Sequence, residues 1–177
     1  QSVYRPHAHR PRYPFHLRTA EVACFLSHRK CWRLIVEQKL DAALILEDDV
    51  ELDLGRFLPA WNLVLENLRP GDFIRFPQKR REKAAVVRAA TETHALTVPE
   101  VTGLGMICQL VTRGAAEKLL AATLHFDRPV DAVLQMPWLT GVRPATVFPA
   151  GVTECSAQLG GSRIQARKSW ADMLRRE

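Results

Sequence analysis

Glu47, Asp48 and Asp49 are the residues whose types and spacing most directly suggest chemistry. They end the apolar run Leu44-Ile45-Leu46, and Val50 resumes it. Three adjacent carboxylates repel one another unless a cation sits among them. In an extended segment residues two apart point the same way. Glu47 and Asp49 are therefore expected to face one ligand together, with Asp48 on the other side. Oxygen ligands of this kind suit Mg²⁺ or Mn²⁺, which keep several waters and bridge protein carboxylate to substrate phosphate. The alternative is a solvated acidic turn after a strand, and the segment alone leaves both open.

Other residues bear on the same chemistry. Ser27-His28 lies mid-helix on a mostly buried face. His28 there is either a hydrogen-bonded core residue or a group that orients the carboxylates. Asp131 follows Pro129 at a helix start, where a capping carboxylate is common. As a functional residue it is a general base, being a lone acid in an apolar segment. Gly103-Leu104-Gly105 lacks the third glycine and following helix of a phosphate-binding fingerprint. Its glycines instead allow close backbone approach to a substrate, or tight packing. Cys24, Cys31, Cys108 and Cys155 form no CxxC pair and no zinc spacing. Cys24 and Cys31, on one helical face, read as small core residues.

The elements that position these groups follow from periodicity. Residues 42–46 read as a fully buried strand, and α/β sheets place ligands at the carboxyl ends of strands. Before it, a helix runs from Thr19, read as the N-cap, to about Lys39, with Glu21 in its first turn. Arg29, Lys30, Arg33 and Glu37 fall on its wet side; Cys24, His28, Cys31, Trp32 and Ile35 fall on the buried side. A second helix has Pro59 near its first turn and Phe57, Trp61, Val64, Leu65 and Leu68 on one face, and Pro70-Gly71 ends it. Strands are expected at 72–76, 95–101, 103–111 and 143–148. Thr112 caps a short helix to Leu120, and Pro129 opens another. Residues 77–94 and 151–161 read as loops, and 1–18 as a loop or exposed arm. Strands alternating with helices give an α/β fold with a mixed sheet.

At 177 residues the chain is one domain, and 47% apolar with 25% charged residues is ordinary for a soluble globular protein. No apolar run reaches the roughly 18 residues of a membrane span, and no signal peptide is visible. The net charge of +6 is clustered. One group is Lys79, Arg80, Arg81, Lys83 and Arg88; another is Arg163, Arg167, Lys168, Arg175 and Arg176; a third is His7, His9, Arg10 and Arg12. Such clusters attract phosphate on a nucleotide, a nucleic acid or an anionic lipid, or are solvated loops. No aromatic-interleaved platform or helix-turn-helix pattern supports nucleic-acid binding.

Glu21-Val22-Ala23-Cys24-Phe25-Leu26-Ser27-His28, then Trp32, then Ala43-Leu44-Ile45-Leu46-Glu47-Asp48-Asp49-Val50, resembles glycosyltransferase family 25. Gly114-Ala115 with Leu119-Leu120, Pro129-Val130-Asp131, Phe148-Pro149 and Ser162-Arg163-Ile164 are similar to its later parts. The resemblance covers roughly residues 17–165 and divides the chain into a basic arm (1–18), a transferase-like domain (19–165) and a basic tail (166–177). It implies a GT-A-like nucleotide-diphospho-sugar transferase fold, a mixed sheet flanked by helices. The implied activity is inverting, metal-dependent hexosyl transfer, from a UDP-sugar such as UDP-galactose to a lipooligosaccharide or other surface glycan. Asp49 and Glu47 are then metal ligands (Mn²⁺ or Mg²⁺), Glu47 and Asp48 also support the nucleotide, and Asp131 is the base. Glu21, Ser27 and His28 are motif positions without an assigned role. With no signal peptide visible and no ER-retention signal in Arg175-Arg176-Glu177, a bacterial cytoplasmic member of the family is expected, and the basic segment Ser162–Arg176 is expected to dock on anionic inner-membrane lipid.

Two departures stand out. Ala20 replaces the motif's usual glycine. The family's opening strand, with a nucleotide-holding segment on the order of fifty residues, is expected to be missing, making the domain N-terminally incomplete. The alternative function is therefore a non-catalytic nucleotide-sugar or glycan-binding remnant.

Overall fold

A computed structural model describes residues 3–155. The motif Ser162-Arg163-Ile164 and the basic tail from Ser162 lie outside the described residues. The elements in chain order are α1 (Thr19–Glu37), β1 (Ala42–Leu46), β2 (Val50–Leu52), α2 (Leu54–Glu66), β3 (Phe73–Arg75), β4 (Ala84–Ala90) and β5 (Ala95–Pro99). They continue with β6 (Cys108–Thr112), α3 (Arg113–Ala122), α4 (Val130–Leu134), α5 (Pro137–Thr140), β7 (Ala145–Phe148) and β8 (Val152–Glu154). Among the described residues no helix is long and apolar enough to cross a membrane.

Six strands form one mixed sheet in the order β1-β6-β3-β7-β5-β4. β6 runs antiparallel to both β1 and β3, and β3 runs parallel to β7. The carboxyl ends of β1, β3 and β7 therefore share one edge of the sheet. Alternation along β3 divides the core between the two faces. Phe73 packs with Phe25, Trp32, Leu119 and Val133 on the α1, α3 and α4 side. Ile74 and Phe76 pack with Phe57, Val64 and Leu110 on the α2 side. The result is helices on both faces of a sheet, each burying its apolar stripe.

Several expectations need correction. β1 has the expected bounds but is an edge strand, so it is only partly buried, and Leu46 is 44% exposed. The cap of α1 is Arg18, one residue before Thr19; the Glu21 carboxylate accepts the Arg18 backbone N–H at 2.8 Å. Arg29 is not on the wet face. It is buried, and its guanidinium donates to the carbonyls of Leu120 and Thr123 and to the Thr123 hydroxyl, tying α1 to the end of α3. Leu65 is exposed, because the buried stripe of α2 runs through Phe57, Ala60, Leu63 and Val64. The expected loop 77–94 contains β4, an exposed edge strand with two register irregularities. The run 103–111 is a strand only from Cys108. The expected loop after Gly151 contains β8, which pairs with β2 beside the main sheet.

Residues 3–18 have no regular structure beyond a single bridge between Tyr4 and Phe126, and they lie along the α3–α4 connection. The backbone N–H of Arg5 donates to the Phe126 carbonyl at 2.9 Å, and that of His9 to the Asp127 carboxylate at 2.9 Å. Arg128 donates to the Pro11 carbonyl at 2.7 Å and pairs with Asp127.

Candidate active site

A row of polar side chains crosses the middle of the sheet. Gln109 of β6, Arg75 of β3 and Thr146 of β7 are register partners and all are buried. Polar groups in this position need partners or a function. Their row leads to a cleft of about 310 Å³ at the carboxyl end of β3, lined by Arg75, Phe76, Lys79, Arg81, Gly105 and Asp131 among others.

Asp131 sits in the first turn of α4 with its carboxylate at the cleft. One oxygen accepts the N–H of Ala132 at 2.8 Å, and the other accepts the N–H of Gly105 at 2.9 Å. Each oxygen keeps a further lone pair, so the fixed carboxylate can still accept a proton or hydrogen bond from a substrate hydroxyl. The loop that meets it is held from below. Arg75 donates to the carbonyls of Leu104 and Gly105, each at 3.0 Å, and pairs with Glu82. Burial holds the Arg75 guanidinium below its ordinary range, while the negative charges of Glu82 and Asp131 oppose that shift. Gly103-Leu104-Gly105 thus brings backbone to the cleft, and the left-handed φ of +99° at Gly105 suits glycine.

Glu47 follows the last residue of β1, and its N–H extends the ladder to the carbonyl of Ile107, a cleft residue, at 3.0 Å. Its carboxylate points to α1, where Oε1 lies 3.8 Å from Nε2 of buried His28. His28 Nδ1 meets the amide nitrogen of Gln109 at 3.3 Å. His28 is thus a core group with a hydrogen bond, and of the three carboxylates it lies near Glu47. Cys24 is a third member, within 4.8 Å of both. Burial, then the charges of Glu47, Asp131 and Glu21, push its thiol up to about 11. Glu21 caps α1, and Ser27 is exposed on α1.

Asp48 and Asp49 form a turn, so the two-residue alternation expected to align Glu47 with Asp49 does not carry across them. Asp48 is exposed. Asp49 is anchored by its carbonyl, which accepts the N–H of Cys155 at 2.7 Å, and its Oδ1 is buried with no hydrogen-bond partner. None of the three carboxylates lines the cleft itself.

The basic cluster after β3 divides. Lys79 and Arg81 line the cleft. Arg88 is buried against Asp72, with two contacts of 2.8 Å, and Lys83 pairs with Glu100 at 2.7 Å. Sequence reasoning did not single out Arg75, Gln109 or Cys24 as site residues. The signal for the first two was a polar residue inside an apolar strand; for Cys24 it was the four-residue spacing to His28.

A mixed sheet flanked by helices, with acidic groups gathered where parallel strands end, is consistent with a nucleotide-sugar transferase fold. Residues 1–134 match the sequence model of glycosyltransferase family 25 (LPS biosynthesis protein), and the chain belongs to that family. It is similar to "Procollagen galactosyltransferase 1" of Danio rerio, 30% identical over 129 residues, which cover 68% of this chain and 21% of that protein. It is also similar to "Glycosyltransferase 25 family member" of Drosophila melanogaster, 34% identical over 131 residues, covering 70% of this chain and 21% of the relative. The chain thus spans about a fifth of the length of these curated relatives.

Proposed function

We propose that the chain transfers a hexose, galactose from UDP-galactose, to a glycan acceptor of the lipooligosaccharide class by an inverting mechanism. The observation that carries this reading is Asp131, a carboxylate fixed by two backbone N–H groups in a cleft at the carboxyl ends of parallel strands. Its support is family membership and the galactosyltransferase named among the relatives. In the reaction Asp131 takes the proton of the acceptor hydroxyl while that oxygen attacks the anomeric carbon. The bond from that carbon to the phosphate oxygen breaks, and UDP leaves with the electron pair. Lys79 and Arg81 at the cleft supply positive charge toward the diphosphate. The same two side chains are available to an anionic lipid-linked acceptor.

The buried, unpartnered Oδ1 of Asp49 fits a cation, because an orphaned carboxylate oxygen is costly unless an ion or donor meets it. On this reading Asp49 would hold Mn²⁺ or Mg²⁺, and Glu47 would join it by turning its carboxylate away from His28. Such an ion supplies charge neutralisation for the departing diphosphate.

A second reading, a domain that binds nucleotide-sugar or glycan without turnover, is favoured by one observation: the cleft lining contains none of Glu47, Asp48 and Asp49. Calorimetric titration of UDP and UDP-galactose, with and without Mn²⁺, tests both. The proposal expects metal-dependent binding that Asp49→Asn removes, with turnover on an added acceptor. Binding without turnover supports the second reading. Absence of binding in a folded sample removes both.

A further inference from the structure

Cys24, His28 and Glu47 together offer a sulfur, an imidazole nitrogen and a carboxylate oxygen, all within 4.8 Å of one another. Cys24 and His28 lie one helical turn apart, so they project from the same side of α1. Glu47 meets them from the end of β1, with Oε1 3.8 Å from His28 Nε2. A four-coordinate ion bound at about 2.0–2.3 Å holds its ligand atoms roughly 3–4 Å apart. The cluster reaches that spacing by small side-chain movements.

A second observation bears on His28. Gln109 is fully buried, and its Oε1 has no hydrogen-bond partner although its amide touches His28 Nδ1. Turning the amide over, which its shape permits, places Oε1 on a protonated Nδ1. That arrangement gives the oxygen a donor, moves the amide NH2 to the buried position the oxygen held, and leaves the lone pair of Nε2 facing Glu47. A carbonyl behind the far nitrogen is the usual support of a metal-bound histidine.

We propose that Cys24, His28 and Glu47 form a site for one divalent ion of the zinc class, braced by Gln109. A thiolate and an imidazole favour such an ion over Mg²⁺ or Mn²⁺. Three protein ligands leave one position for water or a substrate oxygen. Glu47 is shared with the oxygen-ligand site proposed above, and Asp49 is not. The inference does not rest on the transferase reading, because ion binding is measured without nucleotide.

The test titrates Co²⁺ alone into the full reduced chain after treatment with a chelator. The expected result is one equivalent bound per chain, with a sulfur-to-cobalt charge-transfer band and the intense visible bands of four-coordinate cobalt, both erased by Zn²⁺. Cys24→Ser removes the charge-transfer band; Cys31→Ser and Asp49→Asn keep it. Gln109→Ala weakens affinity by about 10- to 100-fold. Circular dichroism checks that each variant folds. Should Cys24→Ser fail to fold, Glu47→Gln, at a side chain 32% exposed, replaces it and is expected to weaken affinity at least about tenfold. No charge-transfer band in the folded chain, a band that survives Cys24→Ser, or unchanged affinity in Glu47→Gln would overturn the proposal.

Discussion

At the scale of single residues, Asp131 carries the proposed proton transfer, and its geometry separates binding from turnover. Asp131→Asn keeps the size of the side chain and an oxygen for one of the two N–H donors. The expected outcome is a fall in turnover of about 10²- to 10⁴-fold, the usual contribution of a general base. UDP affinity should stay nearly unchanged by calorimetry, and a parallel loss of affinity would assign Asp131 to donor binding instead. Two cysteines give a pH prediction. Burial, helped by nearby acids, raises the Cys24 thiol to about 11, and burial raises Cys108 to about 12. A raised thiol value leaves little thiolate at neutral pH, and thiolate is the nucleophile. Alkylation of both, followed by peptide mass spectrometry in metal-free buffer, should be slow at pH 7. It should rise about tenfold per pH unit on the way up to those values. At this scale placement was readable where it is local: Asp131 at a helix start, His28 on a buried face. Glu47 joining Cys24 was not readable, because the two are brought together by the docking of α1 on β1.

At the scale of elements, the cleft depends on a loop that has little structure of its own. The carbonyls of Leu104 and Gly105 are held by Arg75, and Arg75 is held by Glu82, which also accepts the N–H of Gly103. Both side chains of the ion pair are buried, at 5% and 9% exposure. Glu82→Ala leaves a buried guanidinium without its counter-charge, which typically costs about 3–5 kcal/mol. Urea unfolding should show that loss, and a value below about 1 kcal/mol would mean water reaches Arg75. Gly151 is the other fixed point. Its φ is +65°, and an added Cβ would lie 2.5 Å from the Phe57 backbone nitrogen, where the chain leading to β8 crosses the start of α2. The strained φ alone costs about 1–3 kcal/mol for a side-chain residue. Gly151→Ala should therefore destabilise by at least that amount in the same assay. The long elements were legible: α1 and β1 follow the apolar spacing and stop where it stops. β2 and β8 were not: three residues are too few to show a period, and they lack the apolar cluster of Phe73, Ile74 and Phe76 that marks the equally short β3. β4 escaped because Ala84–Ala90 alternates nothing: both of its faces are largely wet.

At the scale of the whole molecule, the sheet formed by the described residues has β1 at one edge and β4 at the other. An edge strand presents unpaired N–H and C=O groups that can recruit another chain, and natural edges are usually blunted by charge or irregularity. β4 uses irregularity, with register shifts between Ala84 and Val86 and between Val87 and Ala89. Its outer residues remain apolar, Val86 at 56% and Val87 at 60% exposure. The net charge of +6 opposes association over the molecule as a whole, but that repulsion is screened by salt. Self-association should therefore increase with ionic strength and be centred on this edge. Val87→Lys places a charge on the strand without touching the core. It should shift the onset of light scattering to higher protein and salt concentration, while unfolding free energy stays within about 0.5 kcal/mol of the parent, as for surface substitutions generally. If Val87→Lys scatters like the parent, the associating edge is β1, whose Leu46 is also exposed and whose end carries the acidic cluster. Association through β1 would then compete with metal binding at Glu47, and added Mn²⁺ or Zn²⁺ should reduce it; association through β4 should be indifferent to either ion.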